Sequence, residues 1–195
     1  MIRPHAEGFC YEPFEFARMK ESMATLKSLG ADGFVFGILN ESAQAPCNSS
    51  HSWIDVSRNK ELVQLANGLP CTFHRAFDLI PESKWKAALD DIMDCGFTSI
   101  LTNGGPSGTK AVDCINKLAI LVDWRNKKIA NRGQLLDKRV LEIIVGGGVR
   151  ASNIGQLQRI TAASVFHSAA LRAPNEPVCA NEVSSMKDQL NGSTV

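Results

Sequence analysis

The apolar run VLEIIVGGGVR at residues 140–150 is the strongest indication of the fold, because a clear strand pattern leads directly into three glycines. On either side of it, short apolar runs alternate with helical patterns, and several of the helical patterns end at a glycine. Such alternation implies parallel strands joined by right-handed crossovers. Apolar runs without clean alternation fit strands that are covered on both faces. The sequence therefore predicts an α/β fold with parallel strands.

Two architectures fit this pattern, an open doubly wound sheet and a β/α barrel. A dinucleotide-binding sheet would carry GxGxxG after its first strand, and this chain has no such motif there. The glycine run lies instead after the penultimate strand, where barrels form phosphate sites from their last two βα loops. Its position favours a TIM-like parallel β/α barrel.

The predicted elements follow from the spacing of apolar residues and from glycine or proline at their ends. Helices begin near Pro13, Val56, Pro81, Thr109 and Ser152, and strands cover residues 34–39, 70–74, 98–102, 140–145 and 164–167. Residues 1–172 are assigned to the barrel, and the polar residues 173–195 to a loosely ordered tail. Residues 40–51 are interpreted as a flexible loop, and residues 125–138 as a surface insertion or a helix extension.

The composition argues against several classes of partner and location. The 195 residues carry a formal net charge of +1 without basic runs, which gives no support for binding to nucleic acid or to a membrane surface. No apolar stretch approaches the roughly 20 residues of a membrane-spanning helix. The first residues have neither the charged leader nor the apolar region of a signal peptide. The sequence therefore predicts a cytoplasmic protein.

The six cysteines give no metal-binding or redox motif. They are Cys10, Cys47, Cys71, Cys95, Cys114 and Cys179, widely and irregularly spaced and without a CxxC pair, which argues against a zinc or thioredoxin-like site. In a cytoplasmic chain they are expected to be reduced, several of them as small buried residues. A copper(I) site would need thiolates or thioethers that converge in space, and each cysteine alone is better explained as structural.

Candidate functional residues lie where predicted strands end, because functional side chains of β/α barrels occupy that rim. This rule selects Arg3, the segment from His74 to Asp78, residues 102–105, and the glycine run with His167 and Ser168. His74 and Arg75 are adjacent on a strand and must point to opposite faces. His74 is a candidate acid, base or metal ligand, and Arg75 could anchor a carboxylate or phosphate or pair with Asp78. The alternative is a structural hydrogen-bonded cluster of His74, Arg75 and Asp78.

The segment from Gly146 through Gly147 and Gly148 to Arg150 is a candidate anion site. Consecutive glycines allow the backbone to approach a ligand closely, and the following helix offers free N–H groups to an anion. Arg150 would add a positive charge. The alternative is a tight turn that requires positive φ angles. His167 could face the same pocket, or it could be a core histidine of an apolar strand.

Several of these segments resemble the CutC family of copper homeostasis proteins. The similarity covers about residues 1–170 and includes MIRP (1–4), GADG (30–33), TFHRAFD (72–78), ILT (100–102), GGGVR (146–150) and FH (166–167). The chain is identified as a member of this family. The resemblance implies a TIM-like barrel, a cytoplasmic location, a link to copper and self-association as a homo-oligomer. It implies no established catalytic reaction.

The chain departs from the family pattern at its beginning. Family members begin two strands earlier, and Met1 aligns within their third strand, so the resemblance implies about six of eight strands. The cysteines proposed as copper ligands in the family belong to the two absent βα units and have no counterpart here. HAEGF at residues 5–9 replaces a family segment that contains an arginine and an aspartate. We therefore expect a truncated member with uncovered strand edges, which would aggregate or depend on oligomerisation.

Two functions remain as hypotheses. The leading one is a non-catalytic cytoplasmic protein of copper homeostasis that has a capacity to bind copper(I). The alternative is a β/α-barrel enzyme for a small phosphorylated or carboxylated substrate, with the glycine run binding the anion and His74 and Arg75 at the reacting centre. A copper ion or a small anionic ligand is thus the expected partner.

Overall fold

The structure is a computed structural model that describes residues 1–41, 52–131, 141–171 and 176–192. These residues form two units, and each unit is described by itself. Within the described ranges, the first unit contains residues 1–100 and 141, and the second contains residues 101–131, 142–171 and 176–192. No helix in these ranges is long and apolar enough to cross a membrane.

The first unit alternates helices and strands as the sequence predicts. Its elements are α1 (Pro13–Ser28), β1 (Phe34–Phe36), α2 (Val56–Ala66), β2 (Cys71–Phe73), 3-10 helices at Arg75–Leu79 and Glu82–Lys84, and α3 (Trp85–Cys95). The first half of β3 (Ser99–Thr102) also belongs here. Gly96 ends α3 with a φ of 91°, a left-handed conformation that glycine adopts without strain.

The second unit starts with the other half of β3 and continues the same alternation. Its elements are a 3-10 helix at Ala111–Cys114, α4 (Ile115–Asn131), β4 (Glu142–Gly146), α5 (Ala151–Thr161), β5 (Val165–His167) and α6 (Ala180–Gly192). The predicted helix extension is confirmed for residues 125–131, which continue α4. Residues 132–138 and most of the predicted loop, residues 42–51, lie outside the described ranges.

All strand pairs are parallel, as the predicted crossovers require. Phe34 of β1 lies opposite Cys71 of β2, and Thr72 of β2 lies opposite Ser99 of β3. In the second unit, Ile144 of β4 lies opposite Val165 of β5. Within each unit the paired strands follow one another in their sequence order, β1 to β3 in the first and β4 to β5 in the second, which repeated right-handed βα units produce. The α/β class with parallel strands is therefore confirmed.

The resemblance implies about six strands. The described ranges contain five. The expected strand at Met1 and Ile2 is reduced to one backbone hydrogen bond, which the Ile2 N–H donates to the Val35 carbonyl at 2.8 Å. Pro4 follows two residues later and has no N–H to continue a ladder. The prediction of a strand at this place was wrong for that reason.

The expectation of a loosely ordered tail is also wrong for residues 180–192, which form α6. This helix packs against α5 through the buried Met186, and Gln189 lies beside Gly155. The Glu182 carboxylate accepts a hydrogen bond of 2.7 Å from the Ala151 N–H at the start of α5. The polar composition of the tail gave no helical pattern, because α6 has a single buried residue, Met186.

The core of the first unit is an aromatic cluster behind β1 and β2. Phe36 and Phe73 are fully buried, and Phe97 contacts both rings at centroid distances of 5.0 and 5.3 Å. Alternate residues of each strand therefore point into one apolar layer, and the residues that follow the strands are held in place by it.

Asn59 of α2 connects this core to the loop after β1. Its side chain is fully buried, accepts a hydrogen bond from the Ile38 N–H at 3.1 Å and donates to the Ile38 carbonyl at 2.8 Å. A second donation reaches the Asp55 carbonyl at 2.8 Å. One side chain thus satisfies both backbone groups of a buried loop residue.

Replacing Asn59 with leucine should lower the free energy of unfolding by about 1–3 kcal/mol, because the Ile38 N–H would stay buried without a partner, while the Ile38 carbonyl would keep only the hydrogen bond from the Asp55 N–H. Urea unfolding followed by circular dichroism measures this change. Gln64→Leu, on the exposed face of the same helix, is the matched control and should change stability by less than about 0.5 kcal/mol. Equal effects of the two substitutions would contradict this account of the loop.

Candidate functional site

The candidate site of the first unit lies where β1 and β2 end. His74 follows β2 directly, and its backbone N–H donates to the Phe36 carbonyl at 3.0 Å. Gly37 follows β1, and a Cβ atom there would come within 2.9 Å of the His74 Nδ1 atom and of the Phe73 ring. Residue 37 must therefore be glycine for the imidazole to take its position.

The environment of His74 fixes its hydrogen-bonding role. The residue is only 4% exposed, and its Nδ1 atom accepts a hydrogen bond from the Ala76 N–H at 3.3 Å. The edge of the ring packs against Phe9 at a centroid distance of 4.7 Å. Because a neutral imidazole that accepts at Nδ1 carries its proton on Nε2, His74 presents an Nε2–H donor. In the described residues this buried Nε2 atom has no hydrogen-bond partner.

Burial keeps His74 neutral at physiological pH. It lowers the pKa of the imidazole from 6.5 to about 4, and the Arg3 guanidinium and the amino terminus act in the same direction. Removing a charged ring from water is costly, and a neighbouring cation increases that cost. The protonated form that a general acid would require is therefore scarce at pH 7.

Arg3 lies over the ring of Phe9, with its guanidinium carbon 4.4 Å from the ring centroid. One terminal nitrogen donates to the Ala6 carbonyl at 2.6 Å. The Nε atom is buried and, among the described residues, makes no hydrogen bond. Phe9 thus contacts two side chains, Arg3 and His74, each of which has a buried nitrogen donor without an acceptor among the described residues.

Tyr11 belongs to the same neighbourhood, although no sequence pattern singled it out. It is 6% exposed, and its hydroxyl lies close enough to the Arg3 side chain for a hydrogen bond to affect its pKa, although no hydrogen bond of standard geometry reaches it from the described residues. Burial raises the pKa of Tyr11 to about 12, while the nearby Arg3 opposes the shift. The phenol stays protonated and can donate. Its position follows from packing across the chain, which spacing along the sequence does not reveal.

Arg75 and Asp78 pair with each other within the 3-10 helix after β2. The Arg75 Nε atom donates to the Asp78 carboxylate at 2.6 Å, and the Asp78 side chain is 1% exposed. Of the two roles considered for Arg75, the pairing with Asp78 is the one that the structure contains. The charge of this arginine is therefore already compensated within the protein.

The glycine run of the second unit forms a tight turn against its neighbouring loop. Gly147 and Gly148 have φ angles of 102° and 69°. A Cβ atom on Gly147 would lie 2.8 Å from the Asn103 Cβ atom, and the Gly147 carbonyl accepts from the Ala111 N–H at 2.8 Å. Positive φ and close packing account for these glycines without a ligand, which favours the tight-turn alternative.

The charged groups beside that turn are also occupied within the protein. Arg150 donates through one terminal nitrogen to the Val149 carbonyl at 2.7 Å and to the Ser168 hydroxyl at 3.2 Å. The first amide of α5 is bound by the Glu182 carboxylate of α6. His167 is exposed at the end of β5, so the interpretation as a core histidine was wrong.

The described residues do not provide a cluster suited to a metal ion. No three side chains of histidine, cysteine, aspartate or glutamate come together within those ranges. Cys71, Cys95 and Cys114 are buried, as expected, and Cys10 and Cys179 are half-buried. Burial raises the pKa of the Cys95 thiol to about 12, which disfavours the thiolate that binds copper. Cys47 lies outside the described residues.

Comparison with known proteins points to one family. The model of the CutC family matches residues 1–172. A CutC family protein of Streptococcus pyogenes is 34% identical over 167 residues, which cover 86% of this chain and 70% of the relative. A copper homeostasis protein cutC homolog of Caenorhabditis elegans is 33% identical over 197 residues, which cover 100% and 68%. The chain spans between 58 and 70% of the length of such curated relatives.

Solved structures agree with the family match. The crystal structure of CutC from Streptococcus agalactiae superposes with a TM-score of 0.70 at 32% identity and covers 85% of this chain and 69% of that one. A native KDPGal structure superposes with a TM-score of 0.54 at 11% identity over 95% of this chain and 68% of its own. The latter similarity concerns the fold alone.

The pKa of His74 leads to a prediction for stability against pH. Because the folded-state pKa of about 4 lies below the value of 6.5 in an unfolded chain, the unfolded state binds the proton more readily. The contribution of neutral His74, about 3 kcal/mol, is thus complete above pH 6.5 and is lost as the pH falls towards 4. Urea unfolding between pH 7 and 4.5 should reveal this loss, and His74→Gln should remove it. The same slope in both proteins would show that His74 does not titrate in this way.

Proposed function

The chain belongs to the CutC family, and from that membership we propose that it takes part in copper homeostasis. The observation that carries the proposal is the family match over residues 1–172, which includes both candidate segments at the strand ends. Relatives from Caenorhabditis elegans and Drosophila melanogaster are named as copper homeostasis proteins. The proposal thereby transfers a role in copper homeostasis from the full-length relatives to a chain that covers part of their length.

The proposal includes three further features of the protein, namely its location, its complete fold and its self-association. We place the protein in the cytoplasm, where thiols such as the buried Cys71, Cys95 and Cys114 stay reduced. Its five parallel strands are proposed to belong to a TIM-like β/α barrel, since every parallel neighbour is reached through a helical connection. Self-association with a second copy would cover exposed sheet edges.

A resident copper(I) ion does not fit the described residues. Copper(I) prefers thiolate and thioether ligands that converge. The described cysteine, histidine, aspartate and glutamate side chains form no group of three that could hold a metal ion, and His74 uses its Nδ1 lone pair to accept from the Ala76 amide. The proposed role in copper homeostasis therefore does not rest on a metal cluster in this part of the chain.

We expect expression of the chain to restore copper tolerance to a bacterium that lacks its own CutC family protein. The measurement is growth across a copper series, with soluble protein quantified in parallel. Asn59→Leu, which weakens the fold, is the matched variant and should restore less tolerance. Unchanged sensitivity despite abundant soluble protein would contradict the proposed role.

Purified protein, reduced, loaded with copper(I) and desalted against a competing thiol, should retain less than one equivalent of copper. The reason is the lack of a convergent ligand set in the described residues. Atomic absorption measures the ratio of copper to protein. Retention of a full equivalent that Cys47→Ser abolishes would contradict this expectation and would locate the ion outside the described residues.

A second candidate function is a β/α-barrel enzyme for a small phosphorylated or carboxylated substrate. The observation that favours it is the pair of buried, unpartnered donors on Arg3 and His74 at the ends of parallel strands. Arg75 and Asp78 would support that rim as an ion pair. Gly146, Gly147, Gly148, Arg150 and His167, the other candidates, are less suited, because the first amide of α5 already has a carboxylate partner and Arg150 already donates to the Val149 carbonyl and the Ser168 hydroxyl.

A further inference from the structure

Buried donors without an acceptor among the described residues lie near the end of β2 on Arg3, Tyr11, His74 and Arg75. Arg75 is set apart by its ion pair with Asp78, and we refer to Arg3, Tyr11 and His74 as the donor cluster. The atoms are Arg3 Nε, the Tyr11 hydroxyl and His74 Nε2, all inaccessible to solvent and without a partner in the described residues. His74 and Tyr11 are each more than nine-tenths buried. Leaving a buried donor unsatisfied is costly, so three in one neighbourhood need a physical explanation.

We propose that the donor cluster binds a small oxyanion, the carboxylate or phosphate group of a ligand, through Arg3, Tyr11 and His74. This inference deepens the second candidate function and rests on it for the identity of the site. A carboxylate or phosphate accepts several hydrogen bonds at once, and a guanidinium adds an opposite charge. The same donors repel a metal cation, which needs lone pairs rather than N–H and O–H groups.

The charges around the cluster favour an anion. Among the described residues, the Arg3 guanidinium donates to a neutral carbonyl, that of Ala6, and forms no ion pair. Arg75, the next arginine along this rim, is instead compensated by Asp78. A carboxylate of the protein does lie near, since Glu15 contacts His5 Nε2 at 3.3 Å, but that contact engages His5. Arg3 is thus the cation that a ligand can neutralise.

His74 acts in this site as a neutral donor. Its Nδ1 atom is engaged by the Ala76 amide, so the lone pair that a general base or a metal ligand would use is occupied. Phe9 packs against the ring at a centroid distance of 4.7 Å, and Nδ1 occupies space that a Cβ atom at position 37 would contest. This replaces the two roles expected for His74 from the sequence with a third, binding through Nε2–H.

Arg3 and Phe9 belong to the segment between Ile2 and Phe9, and an anion would reach the donor cluster through a movement of this segment. Backbone hydrogen bonds tie the two ends of this segment, from Ile2 to Val35 and from Leu39 to Phe9, at 2.8 and 2.9 Å. Arg3 also lines an open groove of about 580 Å³ beside α1. A displacement of Arg3 and Phe9 towards that groove would admit an anion to His74 and Tyr11.

The test measures binding of inorganic phosphate and of malonate to the full chain by calorimetry and by thermal unfolding, with chloride at equal ionic strength as the reference. At least one of the two anions should bind and raise the melting temperature. Tyr11→Phe and Arg3→Met should each weaken binding by about tenfold to a hundredfold, since each removes a donor to a charged group. Arg159→Met, on the exposed side of α5, is the matched control and should bind as the unaltered protein does.

The melting temperature of each variant without ligand shows whether a loss of anion binding comes from the missing donor or from unfolding. Without ligand, Tyr11→Phe should melt at about the same temperature, because the hydroxyl that it removes makes no hydrogen bond of standard geometry with the described residues. Lack of binding by both anions would overturn the proposal, as would binding that survives Tyr11→Phe and Arg3→Met but is lost in Arg150→Met. The copper-tolerance measurement is independent of anion binding, so failure of the copper role and failure of this site are distinguishable.

Discussion

The close approach of Gly37 to His74 is the contact on which the rest of the candidate site depends. A strand end without a side chain allows the imidazole to lie against β1, where its backbone N–H is bound by Phe36. The ring is then buried, Nδ1 accepts a hydrogen bond from the Ala76 amide, and Nε2 has no partner among the described residues. Burial, tautomer and the low pKa of His74 all follow from this one packing constraint.

Donor chemistry and metal chemistry make opposite demands on the same side chains. A metal ion requires lone pairs on deprotonated ligands, whereas an oxyanion requires protons on its partners. Burial outweighs the nearby cations Arg3 and Lys60 and moves the first unit towards the second condition, because it keeps the Cys95 thiol and the Tyr11 phenol protonated, with pKa values of about 12. Membership of a copper homeostasis family is compatible with this chemistry only if the copper role does not require a cysteine cluster among the described residues.

Local pattern was sufficient for much of the fold and for part of the site. Apolar spacing and terminal glycines predicted α1, α2, α3 and α5 closely, since a helix that buries one face must repeat at 3.6 residues. The strand-end rule selected both Arg3 and His74, which lie close enough for the Arg3 charge to lower the pKa of His74, and their role in a site stays a prediction. Tyr11 and α6 were missed, because the burial of a phenol and the docking of a polar helix are decided by contacts between distant segments. No spacing rule reports such contacts.

The two glycine-bearing strand ends show how the same local rule can lead to different chemistry. In the second unit, α6 supplies a carboxylate to the first amide of α5, and Ser168 and a backbone carbonyl accept from Arg150. That helix lies beyond residue 172, where the family match ends. In the first unit no described side chain accepts from Arg3 Nε, Tyr11 or His74 Nε2. Because a buried donor gains most from a charged acceptor, the cluster around His74, rather than the glycine turn, is the part of the rim whose hydrogen bonding a ligand would complete.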